Sequence, residues 1–377
     1  MRVLITTGSL ASRGGPEMYA RDLAVALTSA GHDTTVYSPI LGEVADDFRA
    51  AGATVLDRLN AAGRVPDVLH GQHSLDVMTA LCHFPATPAV FVSHGWTHWS
   101  DIPPRHPRIL RYVAVDAPTR DSARRRYGIS EGQIRLVPNF VDLKRYSLRP
   151  PLPPRPRRAL VLSNYAREDT HLPVVREACA RAGIALDVAG YGIGRPVRHP
   201  ERILPAYDLV FAKGRAALEA VVVGTAVIVC DAFGLGPMIT TENMRVLRAL
   251  EGNYLQWYAP LRAERLEREI RRYDPENAAE VTEWARTVAG ADHACETLVA
   301  LYREALTESA ARQPDPAAEA NAVATYLAWL SRFTKENLVE RDPLAGLAVR
   351  LRNRLARLPL AAPLLLRLSA AVRSRIG

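Results

Sequence analysis

Leu204–Asp231, LPAYDLVFAKGRAALEAVVVGTAVIVCD, concentrates the residue types that could bind an anionic, hydroxyl-rich ligand. Lys213, Gly214 and Arg215 form a tight basic turn between an apolar run and an alanine- and leucine-rich helix, and Glu219 lies one helical turn further in. Amides at a helix start carry partial positive charge, so this turn suits a phosphate. The Glu219 carboxylate suits hydroxyl groups instead. An ordinary strand–helix–strand unit with Glu219 facing solvent reads equally well from geometry alone.

Three further clusters carry polar or aromatic groups. FVSHGWTHW places His94 at the end of a strand, with Trp96 and Trp99 able to stack on a sugar or lipid or to pack within the loop. SNYARED at Ser163–Asp169 offers Asn164 and Arg167, and Gly190, Gly192 and Gly194 form a glycine turn. Gly14 and Gly15 stand at a strand-to-helix turn, where glycine lets a ligand approach the backbone. Six of the ten histidines lie between His70 and His106, with His70 and His73 spaced i, i+3 and His94 and His98 spaced i, i+4. HGQH follows a strand, and HGWTH contains glycine and lacks the glutamate of a zinc protease, so no metal site is expected. His94 is the one histidine read as facing ligand.

These residues need a scaffold, and the apolar pattern supplies one. Arg2–Thr6, Thr34–Tyr37, Val65–His70, Ala89–Ser93 and Tyr112–Asp116 read as strands; Glu17–Ala30, Leu75–Cys82 and a stretch through Arg126 read as helices. Asn139–Arg158 interrupts this series with five prolines in its second half. A second series follows: strand Ala159–Leu162, helix Leu172–Ala182, strand Ala185–Val188, strand Asp208–Phe211, helix Ala216–Val223 ended by Gly224, and strand Thr225–Cys230. Alternation of this kind predicts parallel sheets covered on both faces, with ligands at the carboxyl edges of the strands. The expected architecture is α/β, two Rossmann-like doubly wound domains facing a cleft, over residues 1–150 and 151–310, with a helical extension over 311–377.

Composition narrows the function classes. With 48% hydrophobic and 23% charged residues the chain is globular. Its four cysteines show no CxxC pair, which fits a reducing cytosol better than a disulfide framework. MRVLITTGSL starts a strand and lacks a signal peptide's apolar core, and no run reaches a membrane span. Eight arginines and one acid in Arg341–Gly377 hold nearly all of the net +8, so the body is close to neutral and nucleic acid is not an expected partner. In that tail Leu344, Leu347, Leu351, Leu355 and Leu358 share one helical face, and Leu365, Leu368, Val372 and Ile376 form a second stripe. Leucine stripes flanked by arginine suit an anionic membrane surface, or else dock on the chain's own body or a second subunit.

Four segments together resemble the family 4 retaining glycosyltransferases of GT-B architecture, over about residues 1–310. RGGPEMYARDLAVALTSAGHDTTVYSP resembles the family's first glycine-rich loop, helix and second strand. FVSHG resembles the segment with its active-site histidine, and IRLVPNFVDLKRY its exit from the first domain, with Phe140 where glycine is usual. FAKGRAALEAVVVGTAVIVCD resembles the donor motif in which two glutamates stand eight positions apart. Glu219 matches the second, which in the family holds the nucleotide ribose; Phe211 stands at the first.

The resemblance implies a retaining, hexosyl-type glycosyltransferase using a nucleotide-sugar donor and a saccharide, lipid-linked or natural-product acceptor. It implies catalytic roles for His94, Arg167 and Lys213, donor contacts from Asn164, Gly192, Gly214, Arg215 and Glu219, and acceptor or loop contacts from Gly14, Gly15 and Trp96. Charge on the departing pyrophosphate would be met by arginine, lysine and helix-start amides. The chain has no Asp-x-Asp, and neither metal nor another cofactor is expected. Two alternatives stay open: a nucleotide-sugar epimerase of the same fold, and a non-catalytic binding or scaffold protein, to which Phe211 gives weight. The expected location is cytoplasmic, peripheral at the inner face of the membrane if the tail binds lipid.

Overall fold

The computed structural model describes residues 1–250 and 260–341; the two leucine stripes lie outside the described residues. The first half is a parallel sheet of seven strands, β1 (Arg2–Thr6), β2 (Asp33–Tyr37), β3 (Thr54–Leu56), β4 (Val68–Gln72), β5 (Ala89–Ser93), β6 (Ile109–Ala114) and β7 (Ile134–Leu136). Their order is β3-β2-β1-β4-β5-β6-β7, with the reversal between β1 and β4. Every residue of β4 and of β5 is buried. Burial on both faces is why β5, AVFVS, reads as a near-continuous apolar run rather than as an alternating one; β4, VLHGQ, is equally buried although its second half is polar. Helices α1 (Gly15–Ser29), α2 (Val44–Ala50), α3 (Ser74–His83) and α4 (Ala117–Tyr127) provide the crossovers. Asp116 starts α4 by accepting a 2.7 Å hydrogen bond from the Thr119 amide, and Gly128 ends it at φ +64°. A β-carbon on Gly71 would lie 2.3 Å from Val77, so β4 and α3 meet at a glycine.

The second half is a five-stranded sheet of β8 (Arg158–Leu162), β9 (Ala185–Ala189), β10 (Leu209–Ala212), β11 (Ala226–Asp231) and β12 (Gly234–Met238), ordered β12-β11-β10-β8-β9. β12 runs antiparallel to β11 and had no signal in the sequence, since GLGPM has neither alternation nor a β-branched run. Around this sheet lie α5 (Leu172–Arg181), α6 (Pro200–Ile203), α7 (Gly214–Val223), α8 (Met244–Leu250), α9 (Ala263–Ile270) and α10 (Pro275–Val288). The proline-rich segment between the sheets is tied down: Tyr273 donates to the Pro153 carbonyl at 3.0 Å, and Arg149 pairs with Asp208 at 2.9 Å. The long helix α11 (Ala291–Ala311) then carries Leu298, Tyr302 and Ala305 into the core of the first half.

A separate unit holds α12 (Pro316–Arg341), longer at both ends than the Ala320–Phe333 expected from sequence. Along it Tyr326 packs tilted against Trp329, with ring centroids 5.5 Å apart, and Trp329 stacks on Phe333 at 5.7 Å.

Candidate active site

The carboxyl edges of the two sheets border one cavity of about 410 Å³. One wall is α1's start with Arg13, Gly14 and Gly15, together with His94, Gly95 and Asp101 after β5. The facing wall holds Ser163, Asn164 and Tyr165 after β8, Gly190 and Tyr191 after β9, and Lys213, Gly214, Arg215 and Glu219 at the start of α7. The halves touch across it: the Arg13 amide donates to Tyr191 Oη at 3.1 Å, and Asn164 Nδ2 donates to the Arg13 carbonyl at 3.4 Å. Five basic residues (Arg13, Arg145, Arg198, Lys213, Arg215) and two acidic ones (Asp101, Glu219) line the space, which favours an anionic ligand.

β10 passes into α7 through Lys213 alone, and Gly214, the first residue of the helix, is at φ +53°. A helix's first amides have no partner within it, so those of Gly214, Arg215 and Ala216 form an anion cradle at the cavity wall. Lys213 pairs with Asp231 at the end of β11 and lies 5.3 Å from the Tyr165 ring centre and 4.9 Å from that of Phe233. Glu219 is buried at the cavity wall. Burial raises its pKa above the usual carboxylate range, against the opposing pull of Arg215 and a hydrogen bond from Tyr146.

Arg215 is not the exposed phosphate cation expected from its place in the turn. Its guanidinium is spent on the protein: Nε donates to Glu219 at 2.9 Å, one terminal nitrogen to the Phe140 carbonyl at 2.7 Å, and the other to Asp22 on α1. Asp22 is fully buried; it also accepts from Arg21 at 2.8 Å and from the Asp142 amide at 3.0 Å. Burial pushes Asp22 up, but the charges of Arg215 and Arg21 prevail and hold it below the ordinary range. Arg215 is held above the usual arginine range by Asp22 and Glu219, although burial acts the other way. Arg215 therefore orients Glu219 and fastens α7 to α1.

His94 sits half-buried at the floor. Its Nε2 is 2.7 Å from Gln72 Oε1, and Tyr19 lies edge-on at 4.7 Å. Burial, reinforced by His73, His70 and Arg215, pushes its pKa well below the ordinary histidine value, so the ring is neutral at physiological pH. Beside it Asp101 accepts from the His94 amide at 3.3 Å, and burial raises this carboxyl to about 7. The sequence reading missed Asp101, whose only signal was its place seven residues after His94, and Tyr191, which bridges the halves.

The other expected residues fall as follows. Gly14, Gly15, Asn164, Lys213, Gly214 and Glu219 are all on the cavity wall. Arg167 lies outside the lining, exposed and paired with Asp169 at 3.2 Å. Gly192 is also off the wall; a β-carbon there would lie 2.4 Å from the Ala166 carbonyl, so it lets two loops approach. Trp96 turns away from the cavity and stacks under Arg126 at 5.0 Å. Phe211 is an internal residue of β10 with no exposed surface, paired with Ile228 on one side and Val161 on the other. It occupies the sheet core and is absent from the cavity wall. Among the described residues no cluster could hold a metal ion.

Residues 13–145 match the family model Glycosyltransferase Family 4. The structure is similar to a glycosyltransferase from Rickettsia africae (14% identity, TM-score 0.57), over 81% of this chain and 98% of that one. It is also similar to HepE from Anabaena, solved with UDP and glucose (12% identity, TM-score 0.55), over 81% of this chain and 100% of that one. A Listeria monocytogenes protein described as a putative UDP-N-acetylglucosamine 2-epimerase is similar as well (14% identity, TM-score 0.50, 81% of this chain, 96% of that one). No curated protein is a significant sequence match. With two Rossmann-like sheets around one cleft and the family match confined to the first, the chain is a GT-B protein that resembles the family 4 glycosyltransferases.

Proposed function

We propose that the chain is a glycosyltransferase that moves a hexosyl group from a nucleoside-diphosphate sugar to a saccharide, lipid-linked or natural-product acceptor, with retention and without metal. The observation that carries this reading is the pairing of the α7 amide cradle with the buried Glu219, one turn apart on one cavity wall. Diphosphate oxygens would take the amides and the Lys213 ammonium, and the ribose hydroxyls would take Glu219. Charge that builds on the departing diphosphate would then be met by donors already in place, without reorganisation. The neutral ring of His94, and the Asp101 carboxyl, face this wall from the other half and would contact the sugar or the acceptor. A phosphate oxygen of the donor would take the acceptor's proton, which gives retention without a pair of protein carboxylates flanking the bond. Arg167, Gly192 and Trp96 support this machinery from outside the wall or not at all.

A thermal-shift panel of nucleotides and nucleotide sugars tests the reading, since a ligand bound only by the folded state raises the melting temperature according to its affinity. UDP- and GDP-linked compounds separate the donor classes. A flat response to every nucleotide would leave the scaffold reading, and conversion of donor alone into a sugar isomer would leave the epimerase. For the tail, we propose that 341–377 brings the protein to anionic lipid. Among the described residues no helix is long and apolar enough to cross a membrane.

A further inference from the structure

The floor of the cavity rests on polar side chains that the donor wall does not use. Gln72, the last residue of β4, has no exposed surface, and its Oε1 lies 2.7 Å from His94 Nε2. An amide oxygen only accepts, so the proton between them belongs to His94 Nε2. The other face of the ring then carries the lone pair. Nδ1 makes no hydrogen bond to any described residue, and His94 lines the cavity. The ring itself is clamped, edge-on to Tyr19 at 4.7 Å and tied by its amide to Asp101 at 3.3 Å.

The main chain of Gln72 is held as closely, while its buried side-chain Nε2 has no hydrogen-bond partner among the described residues. Its amide nitrogen on the main chain donates to Thr6 Oγ1 at 3.2 Å, and Thr6 Oγ1 in turn donates to the Gln72 carbonyl at 3.1 Å. β1 and β4 thereby hold the position from which the side chain reaches His94. Neighbouring His70 points its Nδ1 at Tyr302 Oη, 2.6 Å away.

We propose that Gln72 is a positioning residue that fixes His94 as the Nε2–H tautomer and so presents Nδ1 to the cavity as an acceptor for a sugar hydroxyl. The tautomer stands on the free protein's geometry; the hydroxyl rests on the glycosyltransferase reading above. A neutral ring suits this role, because an imidazolium has no lone pair to offer. His94 in this state orders a hydroxyl at the reaction centre and neither gives nor takes a proton.

Long-range 1H–15N spectra of the full-length protein labelled at histidine read the tautomer directly, with His94→Gln assigning the signal. The expected result is a protonated Nε2 and a lone-pair Nδ1 from pH 6 to 8. A dominant Nδ1–H form, or an imidazolium at pH 7, would overturn the proposal. Gln72→Leu should release a mixture of tautomers, whereas Gln72→Glu should keep Nε2–H and raise the His94 pKa. An unchanged tautomer in a folded Gln72→Leu protein refutes the positioning role, and if that variant does not fold, the wild-type and Gln72→Glu spectra decide. UDP-glucose, with binding followed by calorimetry, should shift the Nδ1 resonance where UDP alone does not. Bound UDP-glucose that leaves Nδ1 unmoved removes the hydroxyl contact. Absence of nucleotide binding defeats the functional reading while the tautomer is still judged on the free protein.

Discussion

Replacing Arg215 with methionine tests the clamp between α7 and α1. The side chain keeps most of its volume and loses its charge, which leaves Asp22 and Glu219 facing each other across a buried site. Side-chain exposure is 6% for Arg215, 0% for Asp22 and 8% for Glu219, so solvent cannot take over the lost contacts. Breaking a buried pair by removing one partner costs about 3–5 kcal/mol, a large part of the ~5–15 kcal/mol that a folded domain has. Arg21 still contacts Asp22, so the lower end of the range is expected. The pH dependence carries the sign. In the wild type Asp22 is depressed, so its stabilisation is present above the unfolded carboxylate pKa and is lost as pH falls through the folded value. In the variant burial raises Asp22 unopposed by Arg215; the penalty is then full at neutral pH and relieved by protonation as pH falls. Urea unfolding at pH 7.5 and pH 4.5 should therefore show a gap between the two proteins that narrows in acid. Asp22→Asn combined with Arg215→Met should lose less than the sum of the single changes. A loss below about 1 kcal/mol, or a gap that does not change with pH, would refute the argued burial of an uncompensated charge.

Glu219→Gln should weaken nucleotide binding by about 1–3 kcal/mol, read by titration calorimetry, with the fold retained; unchanged affinity would remove Glu219 from the ligand. Phe211→Glu should not alter sugar preference but should abolish stable folding, since it places a carboxylate in the core of β10; a stable variant with a changed donor profile would contradict its assignment to the sheet. Truncation after Arg341 should leave nucleotide binding intact and end co-sedimentation with anionic vesicles, an attraction that should also fade as salt rises. If full-length protein ignores those vesicles at low salt, the lipid proposal fails.

The alternation of strand and helix was legible because burial on both faces of a parallel sheet leaves near-continuous apolar runs, as in β5 and β11. Strand ends were less so: Val65–His70 was expected where the strand is Val68–Gln72, because Gly71 and Gln72 carry no β signal. The Lys213–Gly214 turn could be read because its chemistry is local. The Arg215 clamp could not, since Asp22 stands 193 positions away and sequence shows a charge without its partner. Counting eight residues back from Glu219 reached Phe211, which lies inside a strand that continues to Ala212, and sequence spacing alone does not show on which side of the strand end a residue falls. The role of α11 was equally invisible: its apolar face is ordinary, and only the fold shows that it serves the first sheet.

The most direct measurement of the central claim is donor turnover in EDTA, with the protein offered UDP- and GDP-sugars and a set of saccharide and lipid-linked acceptors, followed by mass spectrometry. The account predicts release of nucleoside diphosphate in step with an acceptor heavier by one hexosyl residue, at a rate that magnesium does not restore or raise and that falls in the Glu219→Gln protein. Nucleotide sugar recovered only as its own isomer, transfer that needs added metal, or no nucleotide binding at all would contradict it.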